Sequence, residues 1–223
     1  LRGIAEFRRD RRKKYAETFA RLAKGQVPEI LAIACSDSRV APVEFAEADP
    51  GDVFVVRNVG NIVPPYDPDA IDEAPAVGAA IEYALAMFPL TDVVVCGHSS
   101  CGAMHALHAA PGPPAAPHLG AGLAAGGRAL PRLPPAPAGL SALDHLSQQS
   151  VLRQLDHLRT FPSVRDRERA GRLRLHGWWF EVSNADVFDY DPAADRFLLL
   201  DEARIGRLLA EGAGGPPPPS RRP

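Results

Sequence analysis

Apolar residues fall into two kinds of block along this chain. Residues 30–34, 53–57 and 93–96 are short runs with little polar alternation, the pattern of strands covered on both faces. Elsewhere the apolar positions recur every three or four residues. Tyr15, Thr18, Phe19 and Leu22 share one stripe, predicting a helix over 4–24 that stops at Gly25. Val77, Ile81, Leu85 and Phe88 share a second, predicting a helix over 73–88 ended by Pro89. Pro42 suits the first turn of a short helix, and Asp49-Pro50-Gly51-Asp52 reads as a turn. Gly97 is expected to break the third strand after Cys96. Strands alternating with helices predict an α/β domain, a mainly parallel central sheet flanked by helices.

The second half follows other rules. Residues 109–140 are rich in Pro, Gly and Ala, which excludes a long helix or a central strand and predicts a surface excursion. Ser141 and Asp144 open an amphipathic helix carrying Leu143, Leu146, Val151, Leu155 and Leu158, stopped by Pro162. Residues 172–182 alternate as a strand. Asp191-Pro192-Ala193-Ala194-Asp195 predicts a hairpin loop between strands at 187–190 and 196–200. Four consecutive prolines follow Gly215, so residues 1–211 are expected to form one domain and 212–223 a disordered tail.

Charge narrows the class of partner. A formal net charge of −2 lacks the basic excess that nucleic acid or an anionic membrane would ask for, although Arg8, Arg9, Arg11, Arg12, Lys13 and Lys14 form a basic run, read as a solvated helix face. The apolar runs are too short to span a bilayer, and the charged N-terminus has no signal-peptide core. Three cysteines argue against a disulfide framework and for a reducing, cytoplasmic setting.

Chemistry concentrates in two stretches, Cys35-Ser36-Asp37-Ser38-Arg39 and Gly97-His98-Ser99-Ser100-Cys101-Gly102. Two thiolates and one imidazole are the donor set that zinc prefers. A structural zinc site would be closed by a fourth Cys or His, yet Cys96 reads as a core residue and neither stretch holds a second His. Three ligands and one open position describe a catalytic zinc, so the chain reads as a zinc hydrolase or hydratase. Both stretches follow strands, at the carboxyl ends where open α/β sheets keep their ligands. His105, His108 and His118 read as solvated surface residues.

These motifs, with Pro50-Gly51-Asp52-Val53-Phe54-Val55-Val56-Arg57-Asn58-Val59, Ile81-Glu82-Tyr83-Ala84 and Leu175-His176-Gly177-Trp178, resemble the β-class carbonic anhydrases in order and spacing over nearly the whole domain. The resemblance implies one Zn2+ per chain on Cys35, His98 and Cys101, and reversible hydration of carbon dioxide to bicarbonate and a proton by zinc-bound hydroxide. Asp37 would orient the nucleophile, and Arg39 would keep Asp37 ionised. It also implies a homodimer, extended in some members to tetramers or larger, with the N-terminal helix reaching toward the partner. Gln26, Phe54, Tyr83 and the Gly102 backbone N–H match substrate contacts, part of that wall coming from the neighbouring subunit. One subclass carries Trp three residues before the first Cys, within a bicarbonate site that switches the enzyme off. Ala32 stands there in this chain, which favours the non-switching subclass. Ser183-Asn184-Ala185 replaces a Gly-containing turn. Two other readings stay open: hydrolysis of carbonyl sulfide or carbon disulfide on the same fold, and a non-enzymatic zinc-stabilised scaffold.

Overall fold

The computed structural model describes residues 1–69, 75–108, 117–127 and 135–212. Six strands form one sheet in the order β2-β1-β3-β4-β5-β6: β1 (Ile30–Cys35), β2 (Val53–Asn58), β3 (Asp92–His98), β4 (Arg174–Glu181), β5 (Asp186–Asp191) and β6 (Arg196–Leu199). The first four are parallel, and β5 and β6 extend the sheet as an antiparallel meander. This is the expected α/β architecture.

The apolar runs are strands because both faces are covered. On one face Leu31, Ile33, Val93 and Val95 pack with Ile81 and Leu85 of α4 (Pro75–Met87) and with Val151, Leu155 and Leu158 of α7 (Ala142–Thr160). Val164 of α8 (Pro162–Arg169) closes the same cluster. Full burial of one such side chain is worth about 1.5–3 kcal/mol. The other face holds Ala34, Val94, Cys96 and Phe180 beneath Phe45 of α3 (Pro42–Phe45), whose ring stacks on Phe180 at 4.9 Å.

Several expectations need correction. The helix predicted over 4–24 is three pieces: α1 (Arg2–Glu6), a π-helical turn (Phe7–Arg11) and α2 (Ala16–Leu22). Tyr15, with φ −97° and ψ 5°, leaves helical geometry between them. None of the three buries a residue within the chain, so no core face holds them in one register, and the basic run is solvated as expected. Gly97 does not break β3, which pairs with β4 through His98. It is a close-approach position: a Cβ there would stand 2.6 Å from Val151 Cγ2, so its absence lets α7 lie directly on the strand. Within 109–140 the chain makes α6 (Pro117–Gly127), with Leu123 buried, where only an excursion was expected. The remainder of that stretch up to 134, the start of the 73–88 helix and the tail beyond 212 lie outside the described residues. The hairpin over 191–195 forms as predicted. Ala185 takes φ 59° in the turn before β5, so this turn adopts the left-handed conformation without Gly.

Candidate metal centre

After β1 the chain runs to β2 on one side, then returns to β3 on the other. The carboxyl ends of β1 and β3 therefore flank a switch point, the usual crevice of an open α/β sheet. Cys35 is the last residue of β1 and His98 the last of β3; Cys101 follows just before α5 (Gly102–His108). One donor atom from each lies within 4.8 Å of the others, and all three residues are buried. Donors about 2.0–2.3 Å from one tetrahedral zinc stand roughly 3.3–3.8 Å apart, so small adjustments would close this cluster on the ion.

The imidazole gives the sharpest test of that fit. His98 Nδ1 lies 2.9 Å from the Ser99 carbonyl oxygen, which fixes the proton on Nδ1 and leaves a lone pair on Nε2. That Nε2 is buried, with no hydrogen-bond partner among the described residues. A buried lone pair beside two thiols suits a soft divalent cation. The Cys35 thiol is pulled down from its ordinary value by its hydrogen bond with Cys101; burial opposes this, while the backbone N–H groups of Gly60 and Asp37 assist. Cys101 is pushed up by the same shared bond and by burial. The two thiols share a hydrogen bond, and binding a dication to both would displace the proton between them. Cys96, by contrast, is fully buried and pushed up to about 12 by desolvation, an inert core thiol as expected.

The loop after Cys35 is clasped by one guanidinium. Arg57 donates to the carbonyls of Cys35 (2.9 and 3.1 Å), Asp37 (2.7 Å) and Val40 (2.7 Å). The Gly60 N–H points at Cys35 Sγ at 3.4 Å, in a turn where Gly60 takes φ 84° and a Cβ would crowd Ala103. The clasp presents Asp37 and Arg39 as a two-pronged pair: Arg39 Nε donates to Oδ1 at 2.9 Å and Nη2 to Oδ2 at 2.8 Å, with the Arg39 backbone N–H also on Oδ1. The Arg39 side chain is the main reason that the Asp37 carboxyl stays well below the usual carboxylate range. Asp37 Oδ2 stands 3.8 Å from His98 Nε2, so the pair borders the metal-ligating atoms.

The loop leading from His98 to Cys101 is held at His98, Ser99 and Ser100. Ser147 Oγ donates to the His98 carbonyl at 2.8 Å and accepts from Trp179 Nε1. Ser99 N–H donates to Phe180 O, and its hydroxyl accepts from Val182 N–H. Ser100, at φ 52°, donates its N–H to Asp144 Oδ1 at 2.7 Å and accepts from Arg39 Nη2 on its carbonyl. The Ser141–Asp144 pair marks the start of α7 in the sequence, but its reach across 44 residues to Ser100 was not foreseen. The Arg57 clasp had no sequence signal either.

Of the four expected substrate contacts, Gly102 lies at this chain's own cluster and Gln26, Phe54 and Tyr83 do not. Gly102 is exposed beside Cys101. Phe54 pairs with Leu31 while Cys35 pairs with Asn58, so Phe54 lies roughly 13 Å down the strand direction from Cys35. Its ring packs near those of Tyr83 (6.0 Å) and Phe88 (5.4 Å), and Tyr83 is half exposed. Gln26 is exposed and precedes β1, at the end opposite Cys35. His105, His108 and His118 are exposed.

With this geometry in hand, residues 30–187 match the carbonic anhydrase family. A carbonic anhydrase of Pseudomonas aeruginosa is 39% identical over 202 residues, covering 90% of this chain and 90% of that protein. The solved β-carbonic anhydrase CcaA superposes with a TM-score of 0.71 at 33% identity, over 89% of this chain and 96% of its own. A tetrameric β-carbonic anhydrase of the ascomycete Sordaria macrospora gives 0.69 at 28% identity, over 85% and 93%. A zinc-type Cys-His-Cys cluster at the switch point of this sheet, matched in sequence and in fold, makes the chain a member of the β-carbonic anhydrase family.

Proposed function

We propose that this protein hydrates carbon dioxide reversibly, giving bicarbonate and a proton, with zinc held by Cys35, His98 and Cys101. The observation that carries the reading is the unpartnered, buried Nε2 of His98 beside two thiols and an ionised aspartate. Zinc supplies a Lewis acid that makes water nucleophilic near neutral pH, carbonic anhydrase being the usual illustration of that effect. The remaining steps belong to the chain. Asp37, kept ionised by Arg39, accepts a hydrogen bond from the attacking water and turns its lone pair toward the carbon. Arg39 is anchored on the Ser100 carbonyl as well as on Asp37, so the carboxylate has little freedom to turn away. The Gly102 N–H receives a developing bicarbonate oxygen.

Gln26, Phe54 and Tyr83 are assigned to the substrate wall of a neighbouring subunit's site. Their position toward the far end of β1 and β2 from this chain's own Cys35 supports that assignment. So does the outer side of β2, an edge strand with Val55 exposed and Val59 exposed just beyond its end, and so do α1 and α2, which bury nothing within the chain. A homodimer pairing these surfaces, with the N-terminal helices reaching across, satisfies each feature. Among the described residues no helix is long and apolar enough to cross a membrane. The reading also favours the non-switching subclass. Ala32 is buried in β1, and the Arg57 guanidinium is committed to three carbonyls, which leaves little to recruit a regulatory bicarbonate.

Stopped-flow hydration on protein of measured zinc content tests both parts. Carbon dioxide is expected to turn over well ahead of carbonyl sulfide and carbon disulfide, and an inert, zinc-loaded protein would sink the proposal. Repeated across pH at low and high bicarbonate, the rate is expected to rise through one ionisation. A steep onset that shifts with bicarbonate would place the chain in the switching subclass.

A further inference from the structure

We infer that Asp144 is a positioning residue for the metal centre, holding the Cys101 ligand loop from the first turn of α7. The inference rests on the zinc reading above, though not on the identity of the gas hydrated. Asp144 uses its two oxygens differently. Oδ2 accepts from Ser141 Oγ at 2.8 Å, while the Ser141 hydroxyl accepts from the Asp144 N–H at 3.1 Å, a local box that fixes the side-chain rotamer. Oδ1 is thereby aimed out of the helix, at the Ser100 N–H 2.7 Å away.

Ser100 is where such a grip counts. It holds φ 52°, a left-handed conformation that costs a side-chain-bearing residue roughly 1–2 kcal/mol, and it is solvent-exposed, so no packing enforces that shape. Its left-handed turn brings Cys101 back toward His98. A carboxylate on its N–H is a charge-assisted bond, the strong kind, and it holds the peptide from one side. Arg39 Nη2 holds the carbonyl of the same residue from the other side at 3.2 Å. One exposed residue thus links the Asp144 carboxylate to the arm that grips Asp37. Losing Asp144 should loosen the Cys101 ligand and, through Ser100, the Arg39–Asp37 pair.

The test compares zinc-loaded full-length protein with its Asp144→Ala and Asp144→Asn variants. Zinc transfer to excess chelating dye is expected to be ten- to a hundred-fold faster for Asp144→Ala, the range typical of residues that orient metal ligands. Asp144→Asn keeps an oxygen for Ser100 and is expected to stay within about three-fold of wild type. The cobalt-substituted proteins should show the same ranking as a shift of the thiolate charge-transfer band. Leu158→Val, buried in α7 away from the loop, supplies a stability control: it lowers Tm but should leave zinc transfer unchanged. Wild-type transfer rates in Asp144→Ala, no rescue by Asn, or equal acceleration in Leu158→Val would each overturn the inference. Should the Ala variant fail to fold, amide hydrogen exchange in the wild type decides: Ser100 N–H must be protected despite its exposure, and fast exchange refutes the bond. A protein that binds zinc with this ranking but hydrates nothing would sink the functional reading and leave this one intact.

Discussion

Both ends of the parallel strands carry an aspartate held by two nitrogens of an arginine, with a histidine beside it. At the amino end, Arg174 Nε and Nη2 meet Asp92 at 2.8 and 2.9 Å, and His176 Nε2 lies 2.7 Å from Asp92 Oδ1. At the carboxyl end, Arg39 meets Asp37 in the same way, yet His98 Nε2 stands 3.8 Å from Asp37 Oδ2 and bonds to nothing else described. The first trio is closed: Thr91 Oγ1 adds a further bond to Asp92, so that each carboxylate oxygen has two partners. The second keeps a free lone pair and has two thiols around it. The same three residue types thus make a clamp where hydrogen bonding is complete and a reactive centre where it is deliberately left incomplete for a metal.

The largest effect should come from removing the open end's ligands. Cys35→Ser, His98→Ala and Cys101→Ser are each expected to abolish zinc binding and hydration together, while Cys96→Ser keeps both; metal analysis alongside stopped-flow assays reads the result. Full zinc in Cys101→Ser would show that the two ends are more alike than described. A smaller effect is expected from Arg39→Ala, which should keep zinc yet lose roughly ten- to a hundred-fold in rate, because the released Asp37 carboxylate competes for the metal. A near wild-type rate would reduce this pair to an ordinary ion pair like that of Arg174.

The closed end offers the mildest test. Burial pushes the Asp92 carboxyl up, but bonds from His176, Arg174 and Thr91 outweigh it and hold the group well below the usual range. A depressed carboxyl stabilises the fold above its unfolded pKa, about 4, and loses that contribution as pH falls. Asp92→Asn should therefore cost about 1–3 kcal/mol at pH 7, measured by denaturant unfolding, with the gap to wild type narrowing below about pH 4 and hydration unaffected. A gap that stays constant into acid would mean that the charge contributes nothing.

What the sequence discloses follows from distance along the chain. Cys35, Asp37 and Arg39 sit within one turn of backbone, and His98 and Cys101 within another, so the zinc donor set is legible from spacing, and the resemblance adds the roles of Asp37 and Arg39. Strands covered on both faces announce themselves as apolar runs, and α7 by its period and its Ser141 cap. The Arg57 clasp and the Asp144–Ser100 bond join residues 17–22 and 44 positions apart, and no local pattern records them. The N-terminal helix was read as continuous because propensity is local; the break at Tyr15 reflects the lack of a packing face to override it. Gly97 misled for the opposite reason. Its lack of a side chain signals a breaker, whereas Val151 above it requires the space.

Helix α7 serves core and site at once, with different residues for each. Val151, Leu155 and Leu158 anchor it in the main apolar cluster, while Ser147 and Asp144 secure the ligand loop and Gln154 and His157 secure Val63 N–H and carbonyl. The ligand loop is therefore tied to the core through one helix, with Ser100 as its one exposed attachment. The amides of β3 beneath α7 would exchange with solvent only when that helix detaches, in one cooperative unit with the core strands, whereas Ser100 N–H is protected by its bond to Asp144 alone. Metal exchange is then set by how often the Cys101 loop slips from Asp144, a local opening far more frequent than loss of the fold, so the site can turn over its metal many times within the lifetime of the core.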